Sequence, residues 1–112
     1  MRVAAVVSDL MLFSRIEAAA AVSGASLLRA DAPSDLPAEP PADLVLVDWS
    51  ARAPDWADAL AAWRASAPSA RMILFGPHTD LAAHAAASDA RLGPMWARSK
   101  LVAELPTLLN NE

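Results

Sequence analysis

Two aspartates stand where carboxylate chemistry is easiest to build. Asp9 follows the valine-rich run Arg2–Val7, and Asp48 closes the run Leu44–Val47. Short apolar runs of this kind read as strands buried on both faces. An acid just past such a strand lies at its carboxyl end, where open parallel sheets bind their ligands. If the two strands are neighbours, the two carboxylates share one crevice. Such a pair can hold a hard divalent cation such as Mg²⁺. It can also leave Asp48 free as a nucleophile towards a phosphoryl group. Each acid has a plainer role open to it. Asp9 can cap a helix, and Asp48 can accept backbone N–H groups of the turn that follows it.

The ends of the other apolar runs add Ser8, Trp49, Ser50, Gly76, Pro77, His78, Arg98 and Ser99 to the same edge. His78, in G-P-H-T-D, can donate to Asp48, join a metal site or simply face solvent. His84 lies inside an alanine-rich segment and is expected on the surface. Trp49 directly follows Asp48. It can cover a pocket or anchor a partner, since large aromatics carry much of interface energy, or it can pack under its own loop. Trp96 falls on a short run expected at the sheet edge, where a partner could reach it. Trp56, Leu60 and Trp63 have helical spacing and belong to the core.

The elements that position these residues alternate. A helix is predicted over residues 10–23, capped by Ser8 or Asp9 and ended by Gly24 in a left-handed turn. A second strand follows over 25–30. Pro33, Pro37, Pro40 and Pro41 then break the pattern, leaving an extended connection with at most one helical turn. Pro54 suits the first position of a helix over 53–66. A strand over 71–75 precedes a helix over 80–90, capped at Thr79 or Asp80. Residues 95–97 form a short fifth strand, with Pro94 tolerable only at its start or at an edge. Ser99 is expected to cap a last helix that runs to Leu109, with Pro106 disturbing its end. Buried strands alternating with amphipathic helices point to an α/β fold with a parallel, doubly wound sheet.

Composition narrows the function. At 112 residues the chain is one domain, residues 1–112. Its mean hydropathy of +0.28 owes much to 28 alanines, and no apolar run approaches the ~20 residues of a membrane span. The absence of cysteine excludes disulfide scaffolds, thiolate metal sites and cysteine nucleophiles. A net charge of −4 argues against nucleic-acid or anionic-membrane partners. With three glycines and no glycine-rich phosphate loop, a nucleotide-binding enzyme is disfavoured, and no enzymatic activity is expected. The expected setting is the cytoplasm. Met1 and the polar end Asn110-Asn111-Glu112 suggest a complete, stand-alone chain.

The segments V-V-S-D, L-V-L-V-D-W-S, M-I-L-F-G-P-H and M-W-A-R-S carry a resemblance. Asp48 lies 39 residues after Asp9, Gly76 lies 28 after Asp48, and Arg98 lies 22 after Gly76. In order and spacing the chain resembles the receiver domain of bacterial response regulators over essentially its whole length. The resemblance implies a flavodoxin-like five-stranded sheet in the order 2-1-3-4-5, with the second helix short or missing. It implies Asp48 as phosphoacceptor, and Asp9, Asp48 and the Ser50 carbonyl as Mg²⁺ ligands. It also implies a partner face built by the last two helices and the fifth strand, open to a histidine kinase or to a second copy of the chain. Three positions depart from the pattern. Ser8 replaces the first acid of a pair, Gly76 replaces a hydroxyl residue, and Arg98-Ser99 replaces Lys-Pro. Lys100, the only lysine, is expected to face solvent. These departures imply a degenerate pseudo-receiver that signals through phosphorylation-independent protein interaction. The alternative is a working two-component receiver phosphorylated on Asp48 with Mg²⁺. Trp49, Gly76, His78, Trp96, Arg98 and Ser99 are the candidate pocket or partner residues.

Overall fold

In the computed structural model, which describes residues 1–38 and 40–110, five parallel strands form one sheet. They are β1 (Arg2–Val6), β2 (Ser26–Ala30), β3 (Leu44–Asp48), β4 (Arg71–Gly76) and β5 (Trp96–Ala97). Their spatial order is β2-β1-β3-β4-β5. This is the doubly wound, flavodoxin-like arrangement expected from the sequence. The chain leaves β1 for one side and returns to the other, so the switch point lies between β1 and β3. There Val6 is paired with Val47. That pairing brings the loops bearing Asp9 and Asp48 side by side.

Both faces of the sheet are covered, which is why β1 and β3 are almost wholly apolar. Alternate residues feed two cores. Val3, Ala5, Leu44, Leu46, Ile73 and Phe75 pack beneath α1 (Leu10–Ser23) and α4 (Arg98–Leu108). Ala4, Val6, Val45, Val47 and Leu74 pack beneath α2 (Trp56–Ser66) and α3 (Leu81–Asp89). The Trp56, Leu60 and Trp63 stripe of α2 is buried as its spacing requires. Each such side chain contributes about 1.5–3 kcal/mol by leaving water.

The proline-rich connection between β2 and β3 holds a single 3-10 turn, Pro33–Asp35, where a full helix would otherwise cross over. Leu36, Pro37 and Ala42 cover part of the sheet instead, and the indole N–H of Trp63 donates to the Pro37 carbonyl at 3.0 Å. A groove of about 280 Å³ remains beside β2, lined by Arg2, Ala4, Ser26, Leu28, Pro37 and Ala42. Leu28 is 46% exposed there.

Several boundaries differ from expectation. α2 starts at Trp56, and Pro54 sits in the turn before it. A 3-10 turn over Trp49–Ala51 occupies the chain immediately after β3 and delays the helix. α4 begins at Arg98 with Ala97 in the capping position, so Ser99 lies inside the helix and caps nothing. The strand runs straight into the helix and leaves no residue for a polar cap. Pro106 is accommodated within α4, which continues to Leu108. Asp80, not Thr79, caps α3 by accepting the Ala83 N–H at 3.0 Å. His84 is half-buried rather than fully on the surface, and its ring N–H donates to the His78 carbonyl at 3.1 Å. Asn111 and Glu112 of the polar end lie outside the described residues. No described helix is long and apolar enough to cross a membrane.

Candidate functional site at the carboxyl edge of the sheet

Asp9 sits at the amino end of α1. Its Oδ1 accepts the Met11 N–H at 3.0 Å and the Leu12 N–H at 3.2 Å, so it does cap the helix. Its other oxygen remains available, and Oδ2 lies 3.2 Å from a guanidinium nitrogen of Arg98. The Leu12 amide above all, then the Met11 amide and the Arg98 charge, hold the Asp9 carboxyl below the usual aspartate range.

Among the described residues, Asp48 is the one charged side chain that is buried. Such a group needs partners, because an unpaired buried charge is costly. Ser50 provides two of them. Its hydroxyl donates to Asp48 Oδ1 at 2.6 Å, and its backbone N–H donates to the same oxygen at 3.3 Å. The remaining oxygen, Oδ2, lies 3.8 Å from the same Arg98 nitrogen that faces Asp9. At that distance the contact is an ion pair rather than a hydrogen bond. One guanidinium therefore lies against two carboxylates, one at the cap of α1 and one at the end of β3.

Gly76 ends β4 and is buried. A Cβ added there would lie 3.0 Å from Met95 Sδ and 3.5 Å from Ser50 Cβ. Met95, itself buried, packs tightly against that position. No sequence pattern pointed to Met95. It is an ordinary apolar residue before β5, and only the pairing of Phe75 with Trp96 brings it against Gly76.

Trp49 is only 1% exposed, so it offers no surface to a partner and does not lie open over the site. Its indole N–H donates to the Ala83 carbonyl in α3 at 3.0 Å. Arg52 stacks on the ring, 5.3 Å from its centroid, and donates to the Trp49 carbonyl at 3.1 Å. A buried ring with a polar edge needs such a partner, and the α3 backbone supplies it. Trp96, by contrast, is half-buried. Lys100 lies 4.3 Å and Arg71 5.9 Å from its ring centroid, so the lysine stacks on Trp96 and stays away from the carboxylates. Ser8, His78, Arg98 and Ser99 are exposed along the same edge. Arg29, on β2, reaches back to the Val7 carbonyl at 3.3 Å and to Asp31 at 3.1 Å.

The residues present do not fit Mg²⁺ in this arrangement. That ion needs near-octahedral oxygen ligation. Here two carboxylates face a guanidinium. Among the described residues no three acidic or histidine side chains come together.

No family model matches the sequence, and no curated protein is similar to it. Solved structures are similar in shape. The receiver domain of the Francisella response regulator 1452 superposes with a TM-score of 0.71 at 14% identity, covering 96% of this chain and 92% of that one. A response regulator receiver domain protein from Clostridium thermocellum superposes with a TM-score of 0.70 at 17% identity, covering 98% of this chain and 91% of that one. The strand order and the helices on both faces agree with that likeness. The chain has the receiver-type, flavodoxin-like fold.

Proposed function

We propose that this chain is a degenerate receiver-like signalling module that acts by phosphorylation-independent protein–protein interaction, without catalytic activity of its own. The packing at Gly76 carries the reading. A phosphoryl-driven switch needs a group at the end of β4 that moves to meet the new charge. Gly76 has no such group, and Met95 Sδ lies within 3.0 Å of where its Cβ would stand. Asp48 is already engaged by Ser50 and Arg98.

The partner face is the one formed by α3, β5 and α4, and a second copy of the chain or a histidine kinase is the class of partner. Leu81 is 77% exposed at the start of α3, and Trp96 presents part of its ring between two cations. The small side chains of α3 let another backbone approach closely. A cysteine-free, acidic chain suits a protein partner in the cytoplasm better than nucleic acid or a membrane.

Asp48 stands at the end of β3, which keeps open the rival reading of a phosphoacceptor working with Mg²⁺. Sedimentation velocity across a wide concentration range separates the two. The proposal expects the wild type and Asp48→Asn to self-associate alike, and Trp96→Glu to remain monomeric. Association that appears only after treatment with a small phosphodonor and Mg²⁺, and is absent from Asp48→Asn, contradicts it. So does a strict monomer that captures no protein from its native cell.

A further inference from the structure

We propose that Arg98 is a built-in counter-cation that takes the place of a metal ion, closing the Asp9–Asp48 hollow to divalent cations. The inference concerns the same hollow as the proposed function and supplies a cause for its independence from phosphorylation.

Three observations lead to it. First, a single guanidinium nitrogen lies 3.2 Å from Asp9 Oδ2 and 3.8 Å from Asp48 Oδ2. These are the two oxygens not committed to the Met11, Leu12 and Ser50 donors. Those oxygens are the pair a cation would bridge, and a cation already bridges them. Second, Arg98 is the first residue of α4, a helix of 11 residues without a side-chain cap. The amino end of a helix carries partial positive charge and disfavours arginine. The two carboxylates offset that local penalty and account for a cation at this position. Third, the open cleft beside the pair is lined by Asp9, Met11, Leu12, Arg15, Arg98 and Val102. A second guanidinium, Arg15, lines the same cleft as Asp9 and Arg98 and adds positive charge there.

Mg²⁺ sheds its water reluctantly and would have to displace a guanidinium to reach either oxygen. Removing Arg98 leaves two like charges facing one crevice, with one of them buried. That arrangement attracts a cation.

The experiment titrates the full chain with Mg²⁺ by calorimetry and with Mn²⁺ by amide broadening. The proteins compared are the wild type, Arg98→Ala, Arg98→Gln, and Arg98→Ala combined with Asp48→Asn. The wild type is expected to show no saturable binding. Arg98→Ala and Arg98→Gln are expected to bind saturably, with affinity at least roughly tenfold above the weakest that the titration would detect in the wild type. Mn²⁺ should broaden the amides of Asp9, Asp48 and Ser50 in those two variants, and the added Asp48→Asn should abolish the effect. Saturable Mg²⁺ binding by the wild type overturns the inference, whether or not the variants fold. A folded Arg98 variant that binds no more tightly than the wild type overturns it too. Self-association is measured without metal, so either result can fail while the other holds.

Discussion

At position 76 a side chain meets a sulfur atom before it meets anything it could signal to. A Cβ there would lie 3.0 Å from Met95 Sδ, and threonine would add two more heavy atoms to a buried site. Overpacking of this kind costs about 1–3 kcal/mol. Gly76→Thr is therefore expected to lower stability in urea unfolding by about that amount, and Met95→Ala in the same chain is expected to recover part of the loss. A Gly76→Thr protein as stable as the wild type would show that the space is available after all. Asp9 gives a pH-dependent counterpart. Its folded pKa lies below the ordinary value of 3.8, so its contribution is fully present above that value and is lost as pH falls through the folded one. Asp9→Asn keeps a capping side chain but gives up the charge facing Arg98. It should melt below the wild type at neutral pH, and the gap should close below about pH 4. A gap that stays constant across that range would remove the charge from the explanation. At this scale the sequence is readable in part. Asp9 before a helix and Asp48 after a strand announce themselves by type and place. Met95 beside Gly76 does not, because the contact spans a crossover and involves no distinctive residue.

Trp49 links two elements that are distant in sequence. Its indole donates to a carbonyl inside α3, and its ring is covered by Arg52. Phenylalanine keeps most of the packing and removes the donor. Trp49→Phe is expected to cost about 1 kcal/mol. It should also speed amide exchange in α3 more than in α1, which makes no contact of this kind. Equal exchange in the two helices would mean that the hydrogen bond does not fasten α3. The sequence left Trp49 open between pocket cover, partner anchor and loop packing, because all three follow equally from a tryptophan next to Asp48. The 3-10 turn over Trp49–Ala51 decides among them by folding the ring inward. The same turn moved the start of α2 past Pro54. The absence of a full helix between β2 and β3 was legible, since four prolines within nine residues cannot sustain one. The capping of α4 was misread, because a serine one residue inside a helix is indistinguishable by type from a serine at its start.

For the molecule as a whole, the alternation of apolar runs and amphipathic segments was enough to give the sheet. Its strand order came from resemblance rather than from periodicity. Both agree with the observed β2-β1-β3-β4-β5 arrangement. That order is what makes Asp9 and Asp48 neighbours. What the order cannot convey is how the hollow between them is filled. Here Arg98 lies against both carboxylates, Ser50 donates to Asp48, and Met95 packs beside Gly76 at the end of β4. By this reading the carboxyl edge does not respond to a phosphoryl group. The most direct measurement is the amide spectrum of the full chain titrated with Mg²⁺ and beryllofluoride, a mimic of the phosphoryl group on aspartate. No saturable shift is expected at Gly76, along α3 or at Trp96. A saturable shift along that path, abolished by Asp48→Asn, would contradict it.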